Sequence, residues 1–185
     1  MAEFSGAQWC ARFPGSASVS DLIDPFKSDL QRFLDMLDAA GASVEISATY
    51  RPPERAYLMH YACQVAGYTD KGGVFHQIAP ADVPPMAGVD IDWTCGGNMA
   101  KALNGAHAMV VGYRIAYPAA LVSRHTQRRA VDMTIKWWTK LTFLKASGEQ
   151  VTLAPNDVHG LVPVGASYGV IKLATDPPHW SDDGH

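Results

Sequence analysis

SRHTQRRAVDMTI, residues 123–135, joins a polar, arginine-rich turn to a run that alternates as a strand does. Successive side chains of a strand point to opposite faces. Val131, Met133 and Ile135 therefore form one face, and Ala130, Asp132 and Thr134 the other. The first is an apolar face made for a core. The second sets a carboxylate in the middle of an apolar strand, where burial is costly unless the charge is paired or bound to a metal. His125 lies seven residues before Asp132, in a turn that can fold back beside it. Imidazole and carboxylate both suit zinc, although a solvent-facing Asp132 and an ordinary loop histidine fit the same letters.

Toward the C-terminus, Lys140–Lys145 and Val151–Leu153 read as strands around a Ser147-Gly148 turn, and Val170–Leu173 as another. Asp176-Pro-Pro-His179-Trp180 follows that last strand, its two prolines fixing the backbone between polar ends. His179 fits as a third ligand of an open metal site, with Asp176 free to take a proton from water. A proline-stiffened surface turn with an incidental histidine is the competing reading. Adjacent Trp137 and Trp138 point to opposite faces, one into the core. Trp180 is expected to shape the metal pocket, and Asp182, Asp183 and His185 to form a solvated tail.

Toward the N-terminus, residues 1–19 read as an irregular lead-in and 20–185 as a single domain. Ser20 or Asp24 can cap a helix that starts near Pro25. Phe26, Leu30, Phe33, Leu34 and Leu37 recur at helical spacing, and Gly41 ends the run. Val44–Tyr50 alternates as a half-buried strand, with Val44, Ile46 and Ala48 on one face and Ser47, Thr49 and Arg51 on the other. Helices are predicted over 52–66 and 98–112, separated by a loop-rich excursion over 68–97. His60 and His107 fall on these helices as packing or surface residues, and His76 and His159 fall in loops. Helices first and hairpin-like strands later predict an α+β fold, a small antiparallel sheet with helices packed on one face.

The chain has 185 residues, 48% of them hydrophobic and 18% charged, which suits a packed domain and argues against disorder. A formal charge of -3 leaves no basic footprint, so no nucleic-acid partner is predicted. Cys10, Cys63 and Cys95 are too few and too scattered for a disulfide framework. No basic stretch followed by an apolar one opens the chain, so no secretory signal is predicted. No run approaches the roughly 18 apolar residues of a membrane span.

Ser123-x-His125, then Asp132 after six intervening residues, then Asp176-x-x-His179-Trp180, resembles the zinc D-alanyl-D-alanine carboxypeptidase and L-alanyl-D-glutamate endopeptidase family. Ala48-Thr-Tyr-Arg-Pro-Pro-Glu-Arg55 looks like that family's strand-end Tyr-Arg motif, and the motifs occur in the family's order across about residues 43–181. The resemblance implies a hedgehog/DD-peptidase-like fold and a Zn2+ ion bound by His125, Asp132 and His179. It implies that Asp176 is the general base and that Arg51 holds a substrate carbonyl or carboxylate, a task suited to a planar, always charged guanidinium. Ser123 is a further candidate for substrate binding. The implied substrate is the stem peptide of bacterial peptidoglycan, cut as an L-Ala-D-Glu endopeptidase or a D,D-carboxypeptidase would cut it.

The sequence departs from the family at Arg128, where the pattern His-x-x-Gly-x-Ala-x-Asp has glycine, which tolerates positive φ. The base position holds Asp176, where other branches have Glu, which points to the endopeptidase branch. Two alternatives accompany this reading: a non-catalytic zinc domain that binds cell wall, and a zinc amidase cutting the muramoyl-L-alanine bond. A chain made in the cytoplasm without a leader would reach the periplasmic wall by phage lysis or by secretion-system delivery, with a pore-forming or an immunity protein as the matching partner.

Overall fold

The computed structural model describes residues 2–67 and 76–185. In chain order its elements are β1 (Glu3–Phe4), α1 (Phe26–Ala40), β2 (Ser43–Ala48), α2 (Pro53–Ala66), β3 (Ile91–Asp92), α3 (Met99–Gly112), β4 (Ala130–Lys136), β5 (Leu141–Leu144), β6 (Gln150–Leu153), α4 (Val158–Ser167), β7 (Ile171–Lys172) and β8 (His179–Ser181). This is a mixed helix-and-sheet fold of the α+β class. The chain divides into two compact units, Met1–Pro14 with Pro52–Val122, and Gly15–Arg51 with Ser123–His185.

The second unit is built on a four-stranded antiparallel sheet in the order β2-β4-β8-β7. Helix α1 forms where the sequence places it. The Asp24 carboxylate accepts the Ser28 N–H at 3.2 Å, which satisfies a donor of the first turn. Gly41 adopts φ 89°, and the Gly41 and Ala42 N–H groups return to Asp38 and Leu37 carbonyls, a Schellman closure. Phe26, Leu30, Phe33 and Leu37 of α1 share one core with Val131, Met133 and Ile135 of β4 and with Trp180. Phe33 and Leu37 are fully buried, each such side chain contributing about 1.5–3 kcal/mol. Trp137 lies in this core, whereas Trp138 is 70% exposed, as their adjacency requires. The β5–β6 hairpin packs against α1 and turns at Gly148, φ 86°.

Helix α4 and the end of β2 differ from expectation. Helix α4 was not predicted, because Gly160, Pro163, Gly165 and several β-branched residues give it poor helix propensity. It forms because Asp157 accepts the Gly160 N–H at 2.9 Å as N-cap, and because its apolar side chains Leu161 and Val164 are fully buried in the core. In β2 the register shifts between Ile46 and Ala48, so the strict alternation expected through Tyr50 is broken. Thr49, expected on the polar face with Ser47 and Arg51, is instead buried and donates its hydroxyl to the Ser16 and Ser18 carbonyls at 3.1 and 2.9 Å.

The first unit packs α2 and α3 together with a 3-10 turn over Ala7–Ala11, and β1 pairs with β3 in parallel. Residues 1–19 read as irregular from their letters, yet Trp9 is 1% exposed and belongs to a core with Tyr57, Leu58, Trp93 and Met109. A single indole buried this fully anchors a segment that carries no periodic signal. The excursion over 68–97 lies partly outside the described residues. Its described part holds a 3-10 turn at Pro80–Asp82 and strand β3. The cysteines are free thiols.

Candidate metal centre

Strand β4 turns Val131 and Met133 to the core and Asp132 to the opposite face. The antiparallel register sets His179 of β8 directly across from Asp132, close enough for cross-strand side chains to touch. His125 arrives from the turn that precedes β4. His125 Nε2, Asp132 Oδ1 and His179 Nδ1 form a triangle with all three sides 3.1 Å. Both imidazoles are buried, at 4% and 6% exposure.

The outer nitrogens fix the tautomers. His125 Nδ1 lies 2.9 Å from the Thr49 carbonyl, and His179 Nε2 lies 3.1 Å from the His185 carbonyl. A carbonyl only accepts, so each outer nitrogen donates and each inner one, in a neutral ring, presents a lone pair. With both rings neutral, two lone pairs and a carboxylate oxygen converge, an arrangement that a cation, or a proton on an inner nitrogen, satisfies. A tetrahedral cation with ligands at about 2.0–2.1 Å has ligand–ligand edges of about 3.3 Å, close to the triangle seen. Among the described residues this is the group of His, Cys, Asp and Glu side chains whose spacing can hold a metal ion. Burial pushes the Asp132 carboxyl up, but the two imidazoles against it outweigh burial and hold it well below the usual range.

The turn that carries His125 is tightly wound. Ser123 N–H donates to Thr126 Oγ1 at 3.0 Å and Thr126 N–H to Ser123 Oγ at 3.4 Å, so the Ser123 hydroxyl serves the turn. The Arg51 N–H donates to the His125 carbonyl at 3.3 Å, which ties the strand end to His125, and the residue is half-buried. Arg128 takes the left-handed conformation that glycine would allow, φ 61°, and lays its guanidinium over the Tyr50 ring at 4.3 Å.

Asp176 is exposed at the head of the Pro177-Pro178 turn, and its carbonyl accepts the His179 N–H at 3.1 Å. A cleft of about 350 Å³ borders the same prolines, between Met133, Ile135 and Val158. Trp180 is 1% exposed and packs into the core with Phe33, on the other face of β8 from His179. It lies in the core beneath the sheet and does not line the face that carries His125, Asp132 and His179.

The C-terminal tail, expected to be solvated, folds back on the turn that carries His125. Arg124 pairs with Asp182 at 3.2 Å and with Asp183, and Ser181 Oγ accepts the Gly184 and His185 N–H groups at 2.9 and 3.1 Å. The Arg124 guanidinium lowers the Asp183 carboxyl to about 2 against the opposing effect of burial. This fold-back delivers the His185 carbonyl to His179. His60 Nδ1 instead meets the Ala119 carbonyl at 2.8 Å, and His76, His107 and His159 are exposed, so none joins the ligand group.

Sequence reasoning did not single out Thr49, Arg124 or His185, whose contacts hold the two imidazoles and the tail. The first and third act through carbonyls, which every residue has. Burial pushes the Lys172 ammonium below its usual range, with Asp176 and Asp132 opposing, which places it within electrostatic reach of both acids. Comparison with family models, with curated proteins and with solved structures gave no match to this chain.

Proposed function

We propose that this chain is a zinc-dependent hydrolase of the peptide stem of bacterial peptidoglycan, of the L-Ala-D-Glu endopeptidase or D,D-carboxypeptidase type. The observation that carries the reading is the 3.1 Å triangle of His125 Nε2, Asp132 Oδ1 and His179 Nδ1. Two histidines and a carboxylate leave one tetrahedral position open, the pattern of catalytic zinc sites. The motif order from Ala48-Thr-Tyr-Arg51 to Asp176-x-x-His179 supplies the substrate class by resemblance.

Bound zinc supplies Lewis acidity toward a carbonyl and toward water. Asp176, exposed on the turn that carries His179, takes the proton of the attacking water and returns it to the leaving amine. Arg51 holds a carbonyl or carboxylate of the stem peptide. Among the described residues no helix is long and apolar enough to cross a membrane. Delivery to the wall by phage lysis or a secretion system completes the proposal.

The test compares Asp132→Asn with Asp176→Asn for zinc content and for cleavage of purified peptidoglycan. Asp132→Asn should lose the metal. Asp176→Asn should keep zinc while turnover falls by about 10² to 10⁴, the usual share of a general base. A fully active, zinc-loaded Asp176→Asn removes that residue from the mechanism. Fragment masses then separate peptidase from amidase, and a zinc-loaded wild type that releases no fragment is a binding domain.

A further inference from the structure

Lys172 stands on β7, the edge strand of the four-stranded sheet, directly across from Trp180. Its Nζ lies 5.6 Å from the centre of the Trp180 ring. From there the ammonium turns into the Leu173–His179 segment and donates to the Leu173 carbonyl at 2.7 Å, the His179 carbonyl at 3.0 Å and the Asp176 carbonyl. An ammonium has three hydrogens and no acceptor, so these bonds use its whole donor capacity on one turn.

That turn is poor in bonds of its own. Pro177 and Pro178 have no N–H to offer. What remains is Leu173 N–H to His179 O at 3.1 Å, Asp176 N–H to Leu173 O at 3.3 Å and His179 N–H to Asp176 O at 3.1 Å. The three carbonyls on which those bonds converge are the same three that Lys172 gathers, so one cation closes the turn from inside.

We infer that Lys172 is a positioning residue, whose ammonium cross-links the Leu173–His179 turn and so fixes His179 Nδ1 and the Asp176 carboxylate relative to His125 and Asp132. Its hydrogen bonds go to main-chain oxygens and to none of the three ligand atoms, and it takes no proton. Its charge reaches Asp132 through space, which by itself would weaken the hold on a cation, so the support it gives the centre runs through the backbone of the residue that carries a ligand. This deepens the metal reading and rests on it, since the expected effect is an effect on metal geometry.

The test is cobalt(II) loading of wild type and of Lys172→Met, which keeps an unbranched apolar side chain on Trp180 and removes the ammonium. Affinity is read by chelator competition and geometry by the visible absorption of the bound cobalt. Lys172→Met should bind about 10–100-fold more weakly, as loss of supporting contacts at metal sites does, and with a changed spectrum. A Lys172→Met protein with wild-type affinity and spectrum overturns the assignment of Lys172 alone. A wild type that takes up no cobalt overturns the metal reading itself. A second measurement does not depend on the variant folding. In the wild type labelled with nitrogen-15, the Lys172 ammonium should show slowly exchanging protons, and rapid exchange there overturns the cross-link.

Discussion

Arg128 shows how a residue can occupy a conformation it does not favour. The left-handed region costs an L-residue roughly 1–2 kcal/mol. A guanidinium over an aromatic ring returns about 0.5–1 kcal/mol at an exposed site, and the Tyr50 ring lies at 4.3 Å. Arg128→Gly removes the strain and the stack together, so its unfolding free energy should stay within about 1 kcal/mol of wild type. Arg128→Val keeps the strain, adds a β-branch and loses the ring, and should cost at least about 1 kcal/mol. Chemical denaturation of the two variants checks the pair, and equal stabilities would mean that the φ of 61° is not what sets the cost.

The close contact of α4 with β8 depends on the absence of a side chain. A Cβ added at Gly165 would meet Trp180 Cζ3 at 2.7 Å and the Val170 carbonyl at 2.9 Å. Gly165→Ala should therefore destabilise by about 1–3 kcal/mol, the usual cost of overpacking. The same shift would disturb β8, so a melting curve and a metal titration should both respond. At the other end of β8, the tail is held by charge. Asp183 is held by Arg124 at about 2, below the ordinary carboxylate value. A depressed pKa gives stability that is complete above the unfolded value, about 3.9, and is lost as pH falls through the folded one. Thermal melts of wild type and Asp183→Asn should differ most above about pH 4 and converge as pH falls toward 2. A gap that persists at the acid end would mean that Arg124 is not what the carboxylate supports.

All three candidate ligands, and the Thr49 and His185 carbonyls that meet the two imidazoles, belong to the unit of Gly15–Arg51 with Ser123–His185. A metal that binds only the folded state stabilises it by about 2.7 kcal/mol at a hundredfold excess over its dissociation constant. Chelation should then lower hydrogen-exchange protection in β4 and β8 and leave α2 and α3 as they were; equal loss in all four elements would contradict this placement. Much of the centre was legible in the letters, because alternation along β4 is a local property and separates Asp132 from Val131 and Met133 without knowledge of any partner strand. The acid and histidines were legible too, since few side chains can bind a cation. Other features were not. Helix α4 is set by burial of Leu161 and Val164, which overrides weak local propensity. The phase of Thr49 is set by a bulge that exists only against β4. The tautomers depend on carbonyls that all residues share, so only the register and the folded-back tail could select Thr49 and His185. Sequence determined which atoms could bind a cation, and tertiary structure determined where they point, because direction is a property of contacts between segments distant along the chain.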